Sequence, residues 1–217
     1  MTDKLDFYDI LAMLIPGSLI ILATPILFPD IAAFLISQKF PDGFVMIGLV
    51  ALSIFIGQIV QAIASLMEPV LYWTWGGRPS EHALRRGLGN RYFPADTAKR
   101  IRDKLVTAVG QGASDRSLFL YAMTIAENKG AARVSRFNGL YAYHRVLFVM
   151  AITTVPIYAA SFYHGFAYSA TLAQNTLIFC VLLLITLLFW HRAKQRGFYY
   201  VREVLLFAER NLASQAD

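Results

Sequence analysis

The stretch FVMIGLVALSIFIGQIVQAIASLM, residues 44–67, runs for 24 residues without a charged side chain. An α-helix rises ~1.5 Å per residue, so this run is long enough to cover the ~30 Å hydrocarbon core of a bilayer. Three further stretches share the property: residues 10–28, 146–163 and 171–190 carry no Asp, Glu, Lys or Arg. Lipid offers the backbone no hydrogen-bond partners, so a spanning segment satisfies them internally as a helix. The expected fold is therefore all-α: a polytopic membrane protein with four transmembrane helices and a helical cytosolic extension.

Composition agrees. Hydrophobic residues make up 57% of the chain and charged residues only 16%, with a mean hydropathy of +0.49. Soluble domains are ~25% charged, and here the apolar excess is gathered into runs rather than spread as amphipathic stripes. The N-terminal MTDKLDFYD is net acidic and no small-x-small cleavage signal follows it. The first run is accordingly expected to stay as a helix rather than to be removed as a signal peptide.

Lys and Arg set the orientation. One lies before the first run (Lys4), one in the 29–43 loop (Lys39) and none in 164–170, against thirteen in 77–145 and five after Trp190. The positive-inside rule then puts 77–145, the C-terminal tail and, with an even number of spans, the N-terminus in the cytoplasm. The formal charge of +6 follows from that asymmetry and suits an anionic leaflet surface. The lone cysteine, Cys180, lies inside the fourth run, which excludes a disulfide framework and a Cys-based metal site.

The expected organisation is 1–76 for the first two transmembrane helices, 77–145 for a basic helical insert, 146–190 for the last two spans and 191–217 for a cytosolic C-terminal helix. Pro16-Gly17 and Pro25 predict a bent first helix, and IAAFLIS (31–37) a short surface helix. The second span is expected to continue through Glu68-Pro69 to Gly76-Gly77, with Tyr72, Trp73 and Trp75 in the interfacial aromatic belt. In the insert, Ser80, Asp96 and either Ser114 or Asp115 are N-cap candidates, Ile101, Leu105 and Ala108 form one apolar face, and Gly110 is a stop. Phe198, Val201, Leu205, Ala208 and Leu212 repeat at 3,4,3,4 spacing, a seam that extends the fourth helix and packs on the start of the third.

Two sets of side chains are candidates for chemistry. Gln58, Gln61, Ser65 and Glu68, at spacings of 3, 4 and 3, share one helical face. A polar stripe on a span faces the bundle interior, another subunit or water; it either lines an ion or solute path or fixes packing and assembly. Arg85, Arg86, Arg91, Arg100, Arg102, Arg133 and Arg136 are candidate contacts for a nucleotide, another anionic ligand or a protein partner. Against that stands the plainer role of a solvated, positive-inside surface. A metal site of Glu68, His144 and His191 has suitable ligand types but no recognised spacing, so no metal or cofactor is expected. HExxH, GxSxG, CxxC and the P-loop pattern are all missing, and the chain is not expected to be an enzyme.

KLDFYDILAMLIPGSLII (4–21) and RFNGLYAYHR (136–145) resemble segments of small bacterial multi-pass proteins that serve as membrane effectors in anti-phage defence operons. The resemblance covers 28 of 217 residues and carries no catalytic or ligand residue with it. It implies a homo-oligomer that perturbs the inner membrane beside a cytosolic sensor protein of the same operon. The function expected is an oligomeric effector or channel-like protein gated at its cytosolic helices. The alternative is a non-conducting anchor that recruits a soluble partner.

Overall fold

The structure is a computed structural model that describes residues 7–27, 30, 33, 37, 41–84, 93–163 and 171–213. Among these the chain is helical, with no strand. The helices are α1 (Phe7–Leu27), α2 (Asp42–Leu66), α3 (Glu68–Trp75), α4 (Pro79–His82), α5 (Ala95–Val109), α6 (Asp115–Asn128), α7 (Ala132–Tyr163) and α8 (Leu172–Ala213). Three are long and apolar enough to cross a membrane, over Gly43–Leu66, Ala132–Ala160 and Leu172–Leu212; α1 adds a shorter apolar stretch, Ile10–Ala23. The surface helix expected at 31–37 lies mostly outside the described residues.

The chain divides into two compact units. The first comprises Met1–Met67 and Ala142–Ala193 and holds the apolar helices. Its tightest feature is the α1–α2 hairpin. A Cβ added at Gly17 would lie 2.6 Å from the Ser53 carbonyl carbon, and one at Gly57 would lie 2.5 Å from that of Met13. Each glycine therefore lets the opposite backbone come closer than any side chain permits, the small-residue packing that brings apolar helices together. Ala12 and Pro16 on α1 and Ser53, Val60 and Ala64 on α2 are buried in the same unit. The Ser18 hydroxyl donates to Ser53 Oγ at 3.3 Å, and Ser53 to the Leu49 carbonyl at 2.7 Å. The Pro16-Gly17 pair thus acts through close approach, within a helix that runs unbroken from Phe7 to Leu27. Elsewhere in this unit the Tyr158 hydroxyl of α7 donates to Asn175 Oδ1 of α8 at 2.8 Å, a polar link between apolar helices.

The second unit comprises Glu68–Tyr141 and Lys194–Asp217. α2 stops at Leu66 and α3 begins at Glu68, a break next to Pro69, whose ring nitrogen has no hydrogen to donate. Gly76 then ends α3 at φ 85°, as the Gly76-Gly77 pair predicts. α4 is capped by Arg78 with Pro79 in its first turn, so Ser80 is not its cap; proline is preorganised for that position. α5 likewise starts from Pro94, which puts Asp96 in the first turn, where its charge favours the helix dipole, rather than at the cap. Ser114 does cap α6, accepting from the Ser117 N–H at 3.1 Å. Gly110 and Gly130, at φ 120° and 61°, close α5 and the turn after α6.

The core of this unit gathers Leu84 and Phe93, Ala98, Ile101 and Leu105 of α5, Leu118, Phe119 and Ala122 of α6, Val134 of α7 and Val201, Val204, Leu205 and Ala208 of α8. Each of its fully buried Leu or Ile side chains contributes ~1.5–3 kcal/mol over remaining exposed. Ala108, expected on the buried face, is exposed, and Ala98, about one turn before Ile101, is buried instead. The 198–212 seam is present, with Phe198 and Leu212 half-buried at its ends. It meets the start of α7 through Arg133–Glu203 at 3.0 Å and an edge-on Phe137–Tyr199 pair. α7 begins at Ala132, well before the uncharged run at 146, and α8 continues past Trp190 to Ala213.

Candidate functional site

With 3.6 residues per turn, the buried positions 53, 57, 60 and 64 of α2 define a seam, and Gln58, Gln61 and Ser65 lie roughly a quarter-turn to one side of it. Phe55, Ile59, Ala62 and Leu66, all exposed, occupy the opposite, apolar face. Gln58 and Ser65 are exposed and Gln61 half-buried. The polar residues thus form a flank between the α1-facing seam and the apolar face. Gln58 Nε2 reaches Met13 Sδ at 3.0 Å. The Ser65 hydroxyl donates to the Gln61 carbonyl at 3.0 Å and accepts from Arg145 Nη2 at 3.0 Å.

Arg145 belongs to neither candidate set, yet it joins the flank through Ser65. At 7% exposure it is the buried charged side chain of the first unit among the described residues. In the sequence it counts as one more positive-inside arginine; only its helical neighbours reveal that it turns inward onto Ser65. The stripe's fourth member, Glu68, opens α3 in the second unit. There its Oε1 lies 3.3 Å from the Tyr141 hydroxyl, which is 3.2 Å from that of Tyr72. One hydrogen cannot serve both, so Tyr141 donates to the carboxylate and accepts from Tyr72.

The aromatic trio after Glu68 separates. Trp73 is 81% exposed, as a belt residue would be, whereas Trp75 is 9% exposed. Trp75 packs edge-on against Tyr72, Tyr141 and Phe198, with ring centroids 5.5, 6.3 and 6.4 Å away. It is a core residue of the second unit. Gly197 faces the same cluster: a Cβ there would touch Trp75 and Tyr141 at 3.4 Å.

Of the candidate arginines, Arg85, Arg86 and Arg91 lie outside the described residues. Arg100 pairs with Glu209 at 2.6 Å, Lys104 approaches the same carboxylate at 3.9 Å, and Arg133 pairs with Glu203. Arg102 binds Asp115 and donates to the Leu84 carbonyl at 3.2 Å. The bonded Glu209 carboxylate raises Arg100 above its ordinary pKa. Glu203 and Glu209 are the buried partners, and the guanidiniums of Arg133 and Arg100 lie mostly in solvent. Arg136 is exposed. The second unit nevertheless holds sixteen of the twenty Lys and Arg and nine of the fourteen Asp and Glu, a net +7.

Among the described residues no group of three or more His, Cys, Asp or Glu side chains is placed to hold a metal ion. No family model, curated protein or solved structure matches the chain.

Proposed function

We propose that the chain is an oligomeric membrane protein of channel-like effector type. Copies meet along the polar flank of α2 and enclose an ion path there, and the basic helical unit responds to a ligand or partner. The observation that carries this reading is the exposure of Gln58 and Ser65 on a helix long and apolar enough to span a membrane. Amides and hydroxyls facing lipid are costly, and the bonds of Gln58 to Met13 and of Ser65 to Arg145 still leave both residues exposed. Another copy, or water held between copies, covers them.

The Lys and Arg distribution supports an inner-membrane location with both termini in the cytosol. The resemblance of residues 4–21 and 136–145 supports a role in anti-phage defence. Within the basic unit an anionic ligand has to compete with Glu203 and Glu209 for Arg133 and Arg100, so binding would exchange intrachain ion pairs for ligand contacts. A second reading, a non-conducting anchor, is favoured by the unit's own hydrophobic core and its net +7, which suit an acidic soluble partner.

Flux from liposomes separates the two. The wild-type chain is expected to dissipate an ion gradient, and Gln58→Leu with Gln61→Leu to slow it about tenfold, as loss of ~1.4 kcal/mol of ion stabilisation requires. Wild-type flux equal to that of empty vesicles, together with co-purification of a cytosolic protein that is lost when 77–143 becomes a linker, would establish the anchor instead.

A further inference from the structure

We infer that the cavity of about 410 Å³ between the start of α7 and the end of α8 binds a small soluble phosphate ester of a planar ring, an inference that rests on the basic unit responding to a ligand. The cavity lies wholly inside the second unit, and its size is that of ordinary small-ligand pockets, ~300–1,000 Å³. Gly130, Ala131 and Ala132 make one wall. Three such small residues in a row leave the space unfilled by their own side chains. Arg133, Phe207 and Arg210 stand around it. α7 and α8 are both long and apolar enough to cross a membrane, so a ligand held here ties together the ends of two such helices.

Each of the three larger side chains has binding capacity to spare. Glu203 takes Arg133 in a fork, with Nε and Nη2 each 3.0 Å from a carboxylate oxygen. That pair is electrically balanced; it orients the guanidinium and leaves Nη1 to donate. The net charge comes from Arg210. Its Nε donates to the Leu206 carbonyl of its own helix at 3.2 Å, and among the described residues no carboxylate pairs with it. Glu209, its neighbour in the chain, is engaged by Arg100 and Lys104. Two guanidiniums on one cavity match the several oxygens of a phosphate, which each can meet with paired N–H groups. Phe207 packs on the core of the unit and also lines the cavity. It meets no other ring among the described residues, so a planar group can stack on it. A bare phosphate would leave that apolar part of the cavity wet.

The test uses the full chain in uncharged maltoside micelles and reads binding by isothermal titration calorimetry, with phenyl phosphate and adenosine monophosphate as probes. Both are expected to bind, and inorganic phosphate about tenfold more weakly because it has no ring. Arg210→Gln should weaken both probes about tenfold by removing a charge-assisted donor pair. Phe207→Leu should weaken them while leaving inorganic phosphate as it was. Arg133 stays in place, since its removal would strand the buried Glu203. Ala132→Phe fills the cavity without touching a charge and should abolish binding. Arg210 and Ala132 are exposed, so both variants are expected to fold, which circular dichroism checks. Phosphatidic acid in the micelles supplies phosphate without the ring and should not displace the probes. Displacement by it, with no effect of Phe207→Leu, would make the occupant a lipid headgroup and overturn the soluble-ligand assignment. No binding of either probe, or binding that Arg210→Gln and Ala132→Phe leave unchanged, would overturn the site. Neither result touches the ion path, which is read by flux, and an absence of flux would leave a measured site standing.

Discussion

Gly17→Ala is expected to destabilise the α1–α2 hairpin by about 3 kcal/mol, at the upper end of what overpacking costs. The new methyl would lie 2.6 Å from the Ser53 carbonyl carbon, and its neighbour is backbone, which has no rotamer to escape into. Gly57→Ala should behave alike, because its methyl meets the Met13 backbone. Gly48 provides the control: nothing lies within 4 Å of a Cβ there, and alanine is the better helix former by ~1 kcal/mol, so Gly48→Ala should be neutral or slightly stabilising. Denaturant unfolding in detergent micelles, followed by far-UV circular dichroism, reads all three. Equal stability of Gly17→Ala and Gly48→Ala would mean that the hairpin is not packed backbone to backbone.

Trp75→Ala carries the second large effect, about 3–5 kcal/mol for the loss of a buried aromatic ring. The cavity would open among Tyr72, Tyr141 and Phe198 and loosen the contacts of α3 with α7 and α8. Trp73→Ala, two residues earlier, should cost under ~0.5 kcal/mol in detergent because its ring is exposed and surface changes are usually small. Trp75→Phe should cost far less than Trp75→Ala: it keeps a ring and removes an indole N–H that is buried without an acceptor among the described residues. Thermal unfolding monitored by near-UV circular dichroism distinguishes the three. Comparable losses for Trp73→Ala and Trp75→Ala would place both side chains in one environment, contrary to the structure.

These two sites also show how far the residues could be read before the structure. Three of the four uncharged runs fall in helices long and apolar enough to cross a membrane, and the first gives only the shorter apolar stretch Ile10–Ala23; the runs were legible because a single physical requirement, no unpaired charge in hydrocarbon, acts on every position. Helix ends were less legible. Gly110 and Ser114 announced themselves, but at α4 and α5 a proline took the start that Ser80 and Asp96 suggested. Trp73 and Trp75 were grouped by composition, although two residues apart on a helix is about 200°, which forces one inward when the other faces out. Gly17 read as half of a kink signal because its function lies on another helix, and no local pattern says which face will meet Ser53. Arg145 was hidden in the same way. Its charge served the topology count, while its burial and its bond to Ser65 depend on α7 packing beside α2. The seven arginines read either as contacts for an anionic ligand or partner or as a solvated, positive-inside surface, yet the carboxylate partners of Arg102, Arg133 and Arg100 are 13 to 109 residues away in sequence, beyond the reach of any local rule.

The central claim is that the Gln58 flank of α2 faces another copy. Cysteine cross-linking in native membranes tests it most directly, in a Cys180→Ala background because Cys180 is exposed. With a bismaleimide reagent, Gln58→Cys is expected to yield covalent multimers. Ile59→Cys, about 100° further round the helix on the apolar face, is expected to stay monomeric. Multimers from Ile59→Cys with none from Gln58→Cys would put the contact on the wrong face, and monomers from both would mean that the polar flank has no second copy against it.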